Sequence, residues 1–214
     1  MDDEFQRVET AYESIKGMLR LGAFVPGAAI NLSALARHLS FSEEVAGYAL
    51  ARLAGERLVE RVDDHIRTFS ASPSQVRQLY EWQVVLMGMA LNMARDPLNL
   101  VGVRAEQRLA DRTERLLQQI ATDTGNAVLM EVLALNIERL YVARRLENDI
   151  IEGCDEELQT LCNAWACGDL SATRVKIERY GRRRAAAAEA ISSLWTAMGD
   201  AQLSDRQAHL QPHS

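Results

Sequence analysis

The chain has 214 residues, 48% of them apolar and 25% charged, which suits one large or two modest globular domains. This composition excludes a mainly disordered or fibrous protein, and the longest apolar run, residues 84–91, is too short to span a bilayer. The net charge of −6 argues against a protein that coats nucleic acid but leaves a local basic face open. Three cysteines without a C-x-x-C pair, and an acidic start without a signal-peptide pattern, predict a cytoplasmic protein without a disulfide framework.

The first third of the chain predicts short elements. Apolar spacing and alternation predict helices over residues 5–21, 33–39 and 42–55 and strands over residues 29–32, 58–62 and 66–69. Ser33 and Ser42 are the expected caps of the second and third helices. Three helices followed by a two-stranded ribbon is the order of a winged helix-turn-helix, whose third helix enters the DNA major groove. A small packing module without a DNA role is the alternative.

The polar stretch 70–74 predicts a linker, and Ser72, Pro73 and Gln75 within and after it match a capping box that begins a helix. Everything beyond it predicts helices, over residues 74–95, 98–122, 126–149, 155–167 and 170–198. Long helices with short joints predict an antiparallel bundle. The sequence therefore predicts a mostly α protein with a winged helix-turn-helix domain over 1–71, an all-α antiparallel helical bundle over 72–198 and a flexible tail over 199–214.

Several motifs resemble one family, the GntR-type transcription regulators. Residues 18–30, MLRLGAFVPGAAI, are similar to its I-x-x-G-x-(F/Y)-x-P-G-x-x-L signature. Residues 35–42 resemble its L-A-x-x-L-G-V-S segment, and residues 49–59 follow A-L-x-x-L-x-x-x-G-L-V without a gap. Residues 124–126 and 161–169 resemble the S-G-N and I-x-x-A-x-x-x-G-D motifs of the FadR-like branch, whose helical domain is called FCD.

The resemblance implies a cytoplasmic homodimeric transcription regulator rather than an enzyme. Its winged helix would bind a double-stranded DNA operator, and its helical domain would bind a small-molecule effector that favours one arrangement of the two wings. The alternative is a dimeric interaction or sensor protein on the same fold that has lost specific DNA binding.

The recognition helix departs from the family pattern S-R-x-P-V-R-E-A-L. Glu43 and Gly47 replace its two arginines, and Glu43 with Glu44 also suits the positive end of a helix dipole. The expected wing tip, residues 63–65, is acidic and lacks the family's glycine. Residues 1–71 carry eleven acidic and eight basic side chains, an unusual balance for a DNA-reading module. The candidate DNA-binding residues are Arg37, His38, Ser42, Glu43, Tyr48, Arg52, Arg57, Arg61 and Arg67.

Many FadR-like domains hold a divalent metal through one Asp and three His. The positions in this sequence that match those ligands are Thr113, Leu117, Leu158 and Tyr180. None is a good ligand, so we expect no metal and no other cofactor. The residues expected to line an effector pocket are Gln83, Thr113, Leu117, Arg139, Leu158 and Tyr180. Their character suits an apolar or acyl-like effector, and a filled core is the alternative.

Other arginines of the helical region have simpler interpretations. Arg144, Arg145 and Arg174 are candidates, with Arg139, for pairing with an effector carboxylate, although most are expected on solvated helix faces. The run 182–184 is expected on the surface, because three successive helix positions point in different directions. The three cysteines are expected to be small buried apolar residues.

Overall fold

In the computed structural model, residues 2–94 and 108–208 are described, and they form ten helices and two strands. The elements are α1 (Asp2–Leu21), α2 (Leu32–Leu39), α3 (Glu43–Gly55), β1 (Val59–Val62), β2 (His65–Thr68), α4 (Pro73–Met93), α5 (Leu109–Thr122), α6 (Ala127–Arg139), α7 (Tyr141–Ile150), α8 (Cys154–Ala166), α9 (Leu170–Ala186) and α10 (Ala188–Ala208). They divide into two units, one with residues 1–70 and 195–214 and the other with residues 71–194. Among the described helices, none combines the length and apolarity that a membrane span requires.

The first unit is a winged helix-turn-helix, as predicted. Helices α1, α2 and α3 share a buried core that includes Ile15, Leu35 and Leu50. Strands β1 and β2 pair antiparallel, with Val59 opposite Thr68, and Val59 adds the sheet to the same core. Removing each large apolar side chain from water stabilises the folded state by roughly 1.5–3 kcal/mol. This burial holds the three short helices in one arrangement.

Three details of the first unit differ from the prediction. The strand expected over residues 29–32 is reduced to one antiparallel bridge between Ala29 and Arg67. Helix α2 is capped by Asn31 rather than Ser33, because the Asn31 side chain accepts a hydrogen bond from the Ala34 amide at 2.9 Å. Strand β2 begins at His65, one residue earlier than expected, because Asp63 and Asp64 alone make the turn.

The second unit is an all-helical bundle, as predicted. Ser72 and Gln75 form the expected capping box at the start of α4, with Pro73 as its first residue. Helices α4, α5, α6, α8 and α9 bury one apolar cluster, in which Met87, Leu133 and Trp165 are almost fully inaccessible. Helix α4 packs against both α6 and α9, so it lies between them in the bundle.

Two predicted helices are in fact two helices each. The helix expected over 126–149 breaks at Leu140 into α6 and α7, and the one expected over 170–198 breaks at Ala187 into α9 and α10. Helix α10 then continues to Ala208 instead of ending at 198. The apolar spacing continues through both breaks, so periodicity alone does not show where one helix ends and the next begins. Residues 98–107 of the predicted helix 98–122 lie outside the described residues.

Candidate functional site

Helix α3 presents one side to the core and the other to a groove. Ser42 caps the helix, its hydroxyl accepting a hydrogen bond from the Val45 amide at 3.2 Å. Behind the helix, Val45, Ala49 and Leu53 are buried. In front of it lies a concave site of about 310 Å³ between α3 and the wing. Its lining residues are Gly47, Ala51, Ala54, Arg61, Asp64 and Ile66. The small residues of α3 leave this groove open.

The two wing arginines lie on opposite faces of the ribbon. In the strand register Arg61 is opposite Ile66, and Arg67 is opposite Glu60. Residues that face each other across an antiparallel pair share a side, and successive residues alternate. Arg61 therefore shares the groove side with Ile66, whereas Arg67 shares the other side with Glu60. Of the two candidates, the structure brings only Arg61 together with the groove-facing residues of α3.

Arg52 has an intramolecular role that the sequence did not indicate. Its guanidinium lies 3.7 Å from the centroid of the Tyr12 ring, and it pairs with Glu9 at 2.5 Å and with Glu56 at 3.4 Å. The Tyr12 hydroxyl also donates to Glu56 at 2.8 Å. These contacts join α3 to α1, because Glu9 and Tyr12 belong to α1. They engage Nη1 and Nε, two of the three nitrogens that a DNA contact by Arg52 would use.

The other DNA-binding candidates are exposed. Arg37 and His38 lie in the last turn of α2, and Glu43 and Tyr48 stand on the open side of α3. Arg37 donates from its Nε to the carbonyl of Ser33 in its own helix at 3.3 Å. The end of α2 and the exposed side of α3 therefore carry both basic and acidic groups.

Three described residues other than glycine have a left-handed backbone. They are Ser40 (φ 59°), Arg57 (φ 57°) and Asp63 (φ 52°). Ser40 and Arg57 match the glycines of the L-A-x-x-L-G-V-S and G-L-V motifs, and Asp63 lies at the wing tip, where the family also has glycine. Glycine is the residue that adopts this conformation without a steric penalty. At these three positions the chain therefore adopts a conformation that favours glycine, although each carries a side chain.

The residues expected to line an effector pocket fall into two environments. Leu117 and Leu158 are buried in the apolar cluster with Trp165. Thr113 is also buried, and its hydroxyl donates to the Leu109 carbonyl at 2.9 Å. Gln83, Arg139 and Tyr180 form the more polar set.

Gln83 is buried, and its Nε2 donates to Asn136 Oδ1 at 3.0 Å. Arg139 is partly buried at the end of α6. Tyr180 belongs to a buried polar network described next. The four positions that match the family's metal ligands do not fit a metal, because the Thr113 and Tyr180 hydroxyls are already hydrogen-bonded and the leucines have no donor atoms.

A fully buried carboxylate, Glu147 of α7, is the centre of this network. The Tyr80 hydroxyl donates to Glu147 Oε1 at 2.6 Å, and the Tyr180 hydroxyl donates to the same oxygen at 3.1 Å. Arg184 donates to Oε2 from Nε at 3.0 Å and from Nη2 at 2.9 Å. Arg184 also bonds to Glu157 of α8. Four helices, α4, α7, α8 and α9, are thereby joined through one ionic group.

The network perturbs the two tyrosines. Burial, together with the nearby Glu147 carboxylate, which opposes a second negative charge, raises the pKa of Tyr180 to about 12. Burial and Glu147 likewise raise the pKa of Tyr80 well above its ordinary value. Both hydroxyls therefore stay protonated and remain donors to Glu147 at neutral pH.

The prediction of solvated helix faces is wrong for Arg144 and Arg184, because each side chain is only 1% exposed. Arg182 is exposed, as expected, and Arg183 is partly buried. Arg144 donates to the Tyr180 hydroxyl and to the Ile137 carbonyl, both at 3.4 Å. The spacings Arg144–Glu147 and Tyr180–Arg184 place each pair on one helix face, and this was the available sequence signal.

The buried polar atoms that lack a hydrogen-bond partner among the described residues include Nη2 of Arg144 and Oε1 of Gln83. Cys167 is exposed, contrary to expectation, whereas Cys154 and Cys162 are buried as predicted. In the described part of the chain, no group of three or more His, Cys, Asp or Glu side chains is arranged to hold a metal.

The fold and the groove define a winged-helix protein with a helical C-terminal region. No protein-family model and no curated protein matches the sequence. Solved structures do share its fold. A transcriptional regulator described as GntR from Rhodococcus sp. RHA1 superposes with a TM-score of 0.72 and 17% identity, over 86% of this chain and 97% of that chain.

Two further structures extend this comparison. E. coli McbR/YncC gives a TM-score of 0.65 with 17% identity, over 85% of this chain and 96% of that chain. Lar, described as controlling the expression of the Listeria monocytogenes agr system, gives 0.54 with 14% identity, over 85% and 95%. The similarity therefore covers both units, and it establishes a common fold.

Proposed function

We propose that the protein is a DNA-binding transcription regulator of the GntR type, in the FadR-like branch. The observation that carries the proposal is the groove in which α3 and Arg61 of the wing face the same space. A winged helix-turn-helix uses these two elements to bind the duplex. The motifs of the first 59 residues support the same family, as does the fold shared with structures described as transcriptional regulators.

The groove suggests how such a protein would divide its DNA contacts. Arg61 and Arg37 are exposed cations suited to phosphates, which position a protein on the duplex. Tyr48 and Glu43 are exposed on the side of α3 that would enter the major groove. Glutamate accepts a hydrogen bond from cytosine N4, so Glu43 favours C·G pairs at its position. The proposed recognition helix therefore prefers cytosine on the contacted strand, whereas a recognition helix that uses arginine prefers guanine.

The proposal includes a cytoplasmic homodimer on a palindromic operator and a small-molecule effector in the helical unit. The unpartnered Nη2 of Arg144 and Oε1 of Gln83 support an effector that offers both an acceptor and a donor. A carboxylic acid that also carries a hydroxyl or amide group, on an apolar or acyl-like body, has this character. Screening such acids by their effect on the unfolding temperature and on operator binding tests this part of the proposal.

The experiment that tests DNA binding starts from a pool of random duplexes, selected on the purified protein. Fluorescence anisotropy then measures the affinity for the selected sequence over a salt series. We expect specific binding that weakens with salt, and in Arg61→Ala weaker binding with a salt slope that is shallower by about 1. Arg182→Ala is the matched control, because it removes an exposed arginine from α9 in the other unit.

A pool that yields no enriched sequence would contradict the proposal. It would support the alternative of an interaction or sensor protein on the same fold. The acidic side chains Glu43, Glu44, Asp63 and Asp64 favour that alternative, because all are exposed around the groove.

A further inference from the structure

A cluster of polar contacts joins α3 to α1 on the outside of their shared core. The guanidinium of Arg52 lies over the Tyr12 ring, and its Nη1 pairs with Glu9. Glu56, the residue that caps the end of α3, accepts the Tyr12 hydroxyl and lies 3.4 Å from Arg52 Nε. We call Glu9, Tyr12, Arg52 and Glu56 the Arg52 cluster. Two of its members belong to α1 and two to α3 and its cap, so it crosses the contact between the two helices.

Arg52 lies on a different side of α3 from the groove. Each residue of a helix is turned by roughly 100° from the one before, so Arg52 is turned by roughly 100° from Ala51 and 140° from Gly47. Ala51 and Gly47 both line the groove. The Tyr12 ring beneath Arg52 belongs to a residue that is only 3% exposed. Arg52 therefore covers the α1 side of the recognition helix.

The apolar contact between α1 and α3 holds the helices together without strongly fixing their rotation. It includes Ala11 and Ile15 of α1 and Ala49 and Leu50 of α3. Hydrophobic burial is non-directional, and the two alanines have only a methyl group to interlock. The stacked guanidinium and its ion pairs are directional. They matter because a rotation of about 10° moves side-chain atoms by roughly 1 Å, whereas binding sites need a precision of about 0.5 Å.

We infer that Arg52 is a positioning residue, which fixes the rotation of α3 against α1 and thereby the placement of the groove-facing residues. The consequence for DNA rests on the proposed function. Glu9 holds Arg52 and Arg52 holds α3, so the acidic Glu9 should help the protein to bind DNA. Electrostatics alone gives the opposite sign, because removing a negative charge from a DNA-binding unit strengthens its attraction to phosphates.

The experiment compares Arg52→Ala, Glu9→Ala and the double variant in anisotropy titrations of the selected duplex over a salt series. We expect each single variant to bind at least about fivefold more weakly, the lower end of the coupling usual between separate sites. The salt slope should change by much less than the roughly 0.9 of one lost phosphate contact. The double variant should match Arg52→Ala within about twofold, because both substitutions break the same contact.

Glu13→Ala is the matched control. It removes the same charge from an exposed position of the same helix, outside the Arg52 cluster. It should bind as the wild type does, or slightly more tightly. Circular dichroism at the temperature of the titrations establishes that all variants are folded, so that a change in affinity is not a loss of folded protein.

A second measurement follows the position of α3 without DNA. Gly47 lines the groove and lies outside the Arg52 cluster. In amide NMR spectra of the full chain labelled with ¹⁵N-glycine, its resonance should move in Arg52→Ala and in Glu9→Ala but not in Glu13→Ala. Glu9 is the sharper of the two positions, because it acts on Gly47 from another helix.

Two results would overturn the inference. One is a Gly47 resonance that stays in place in Glu9→Ala. The other is weaker binding by Arg52→Ala with a salt slope shallower by roughly 0.9, while Glu9→Ala binds as tightly as the wild type or more tightly. Arg52 would then contact a phosphate directly. A protein that selects no duplex would contradict the proposed function, and the movement of the Gly47 resonance would still decide whether Arg52 positions α3.

Discussion

Arg57 holds a backbone conformation that its side chain disfavours. Its φ of 57° lies in the left-handed region, just after α3, at the position of the family's glycine. The left-handed conformation costs a residue with a Cβ about 1–2 kcal/mol, and a glycine at this position avoids that cost. Part of the gain is offset, because glycine loses more conformational entropy on folding than other residues. We expect Arg57→Gly to raise the free energy of unfolding by about 0.5–1 kcal/mol.

Thermal unfolding followed by circular dichroism measures this effect. For a chain of this size a gain of 1 kcal/mol raises the midpoint by roughly 2–4 °C. Arg57→Ala is the control, because it removes the guanidinium but keeps the Cβ. Equal stabilisation by both substitutions would show that the side chain, and not the backbone, is the source of the effect.

Tyr180 makes stability depend on pH in the alkaline range. Its pKa is about 12 in the folded chain against an ordinary value of 10.0. A group with a raised folded pKa contributes stability that is complete below the unfolded pKa and is lost as pH rises through the folded pKa. We expect the free energy of unfolding to fall between about pH 10 and 12, by up to roughly 1.4 kcal/mol per pH unit from this residue.

Tyr180→Phe separates the contribution of this hydroxyl from the rest of the network. At neutral pH it should destabilise the protein by about 1–3 kcal/mol, because Glu147 and Arg144 each lose a hydrogen-bond partner. Above pH 10 the loss of stability with pH should be shallower than in the wild type. Urea unfolding at a series of pH values measures both effects, with exposed Tyr48→Phe as the control. An unchanged alkaline slope in Tyr180→Phe would refute the assignment.

Helix caps that depend on neighbouring residues could be predicted from the sequence, whereas side-chain contacts between distant residues could not. The caps at Ser42 and Ser72 follow from residue type and a spacing of three, and both are confirmed. The network around Glu147 joins residues 33 to 67 positions away. The arginines therefore looked like exposed charges, because their partners come together only when four helices pack.

In the proposed function, α3 is the element on which DNA specificity depends. Gly47 has open space where a Cβ would stand, so a longer side chain fits there without a clash. The double substitution Glu43→Arg with Gly47→Arg changes the local charge by about +3 and should create phosphate contacts. We expect tighter, less selective DNA binding, with the salt slope steeper by roughly 0.9 for each new contact. Stability should be kept or improved, because a glycine inside a helix costs about 1 kcal/mol.

Helix α1 offers a matched control for this double variant. Glu13 and Gly17 have the same spacing, and Gly17 also has open space around its Cβ position. Glu13→Arg with Gly17→Arg therefore makes the same change of charge in the same unit, but away from α3. Anisotropy titrations should show that only the α3 variant gains affinity beyond a small general effect. Loss of all DNA binding by a folded α3 variant would mean that Glu43 or Gly47 takes part in native recognition.

At the scale of elements, helix positions were predictable and helix breaks were not. Helix α4 begins at the expected Pro73 because a capping box marks the boundary. The breaks at Leu140 and Ala187 carry neither glycine nor proline, and buried residues continue on both sides of each. The side chain of Leu140 is itself buried, so the apolar pattern continues through the break. Tertiary packing determines where such a helix breaks, and the sequence around these two positions contains no breaker residue that would indicate it.

At the scale of the whole molecule, the proposed homodimer and the proposed DNA binding make a joint prediction. A dimer that places two copies of α3 on one duplex binds two half-sites together, and the second contact is then intramolecular. The selected operator should therefore be a palindrome with half-site centres about 10–10.5 base pairs apart, or a multiple of that distance. Wild-type protein should bind the palindrome at least about 100-fold more tightly than an isolated half-site.

Trp82→Glu tests whether the homodimer supplies this gain through the exposed apolar face of α4, which consists of Trp82, Val85, Met89 and Met93. The substitution lies on α4 and leaves Arg61 and the residues of α3 unchanged. If the substitution makes the protein a monomer, the variant should bind the palindrome and the half-site with similar affinities. The control Val175→Glu changes an exposed apolar residue of α9 and should keep the wild-type preference. Anisotropy titrations of both variants on both duplexes, at protein concentrations below the dissociation constant of any residual dimer, provide the comparison. If monomeric Trp82→Glu still preferred the palindrome as the wild type does, the preference would arise within one chain, and pairing through this face would not be the source of operator affinity.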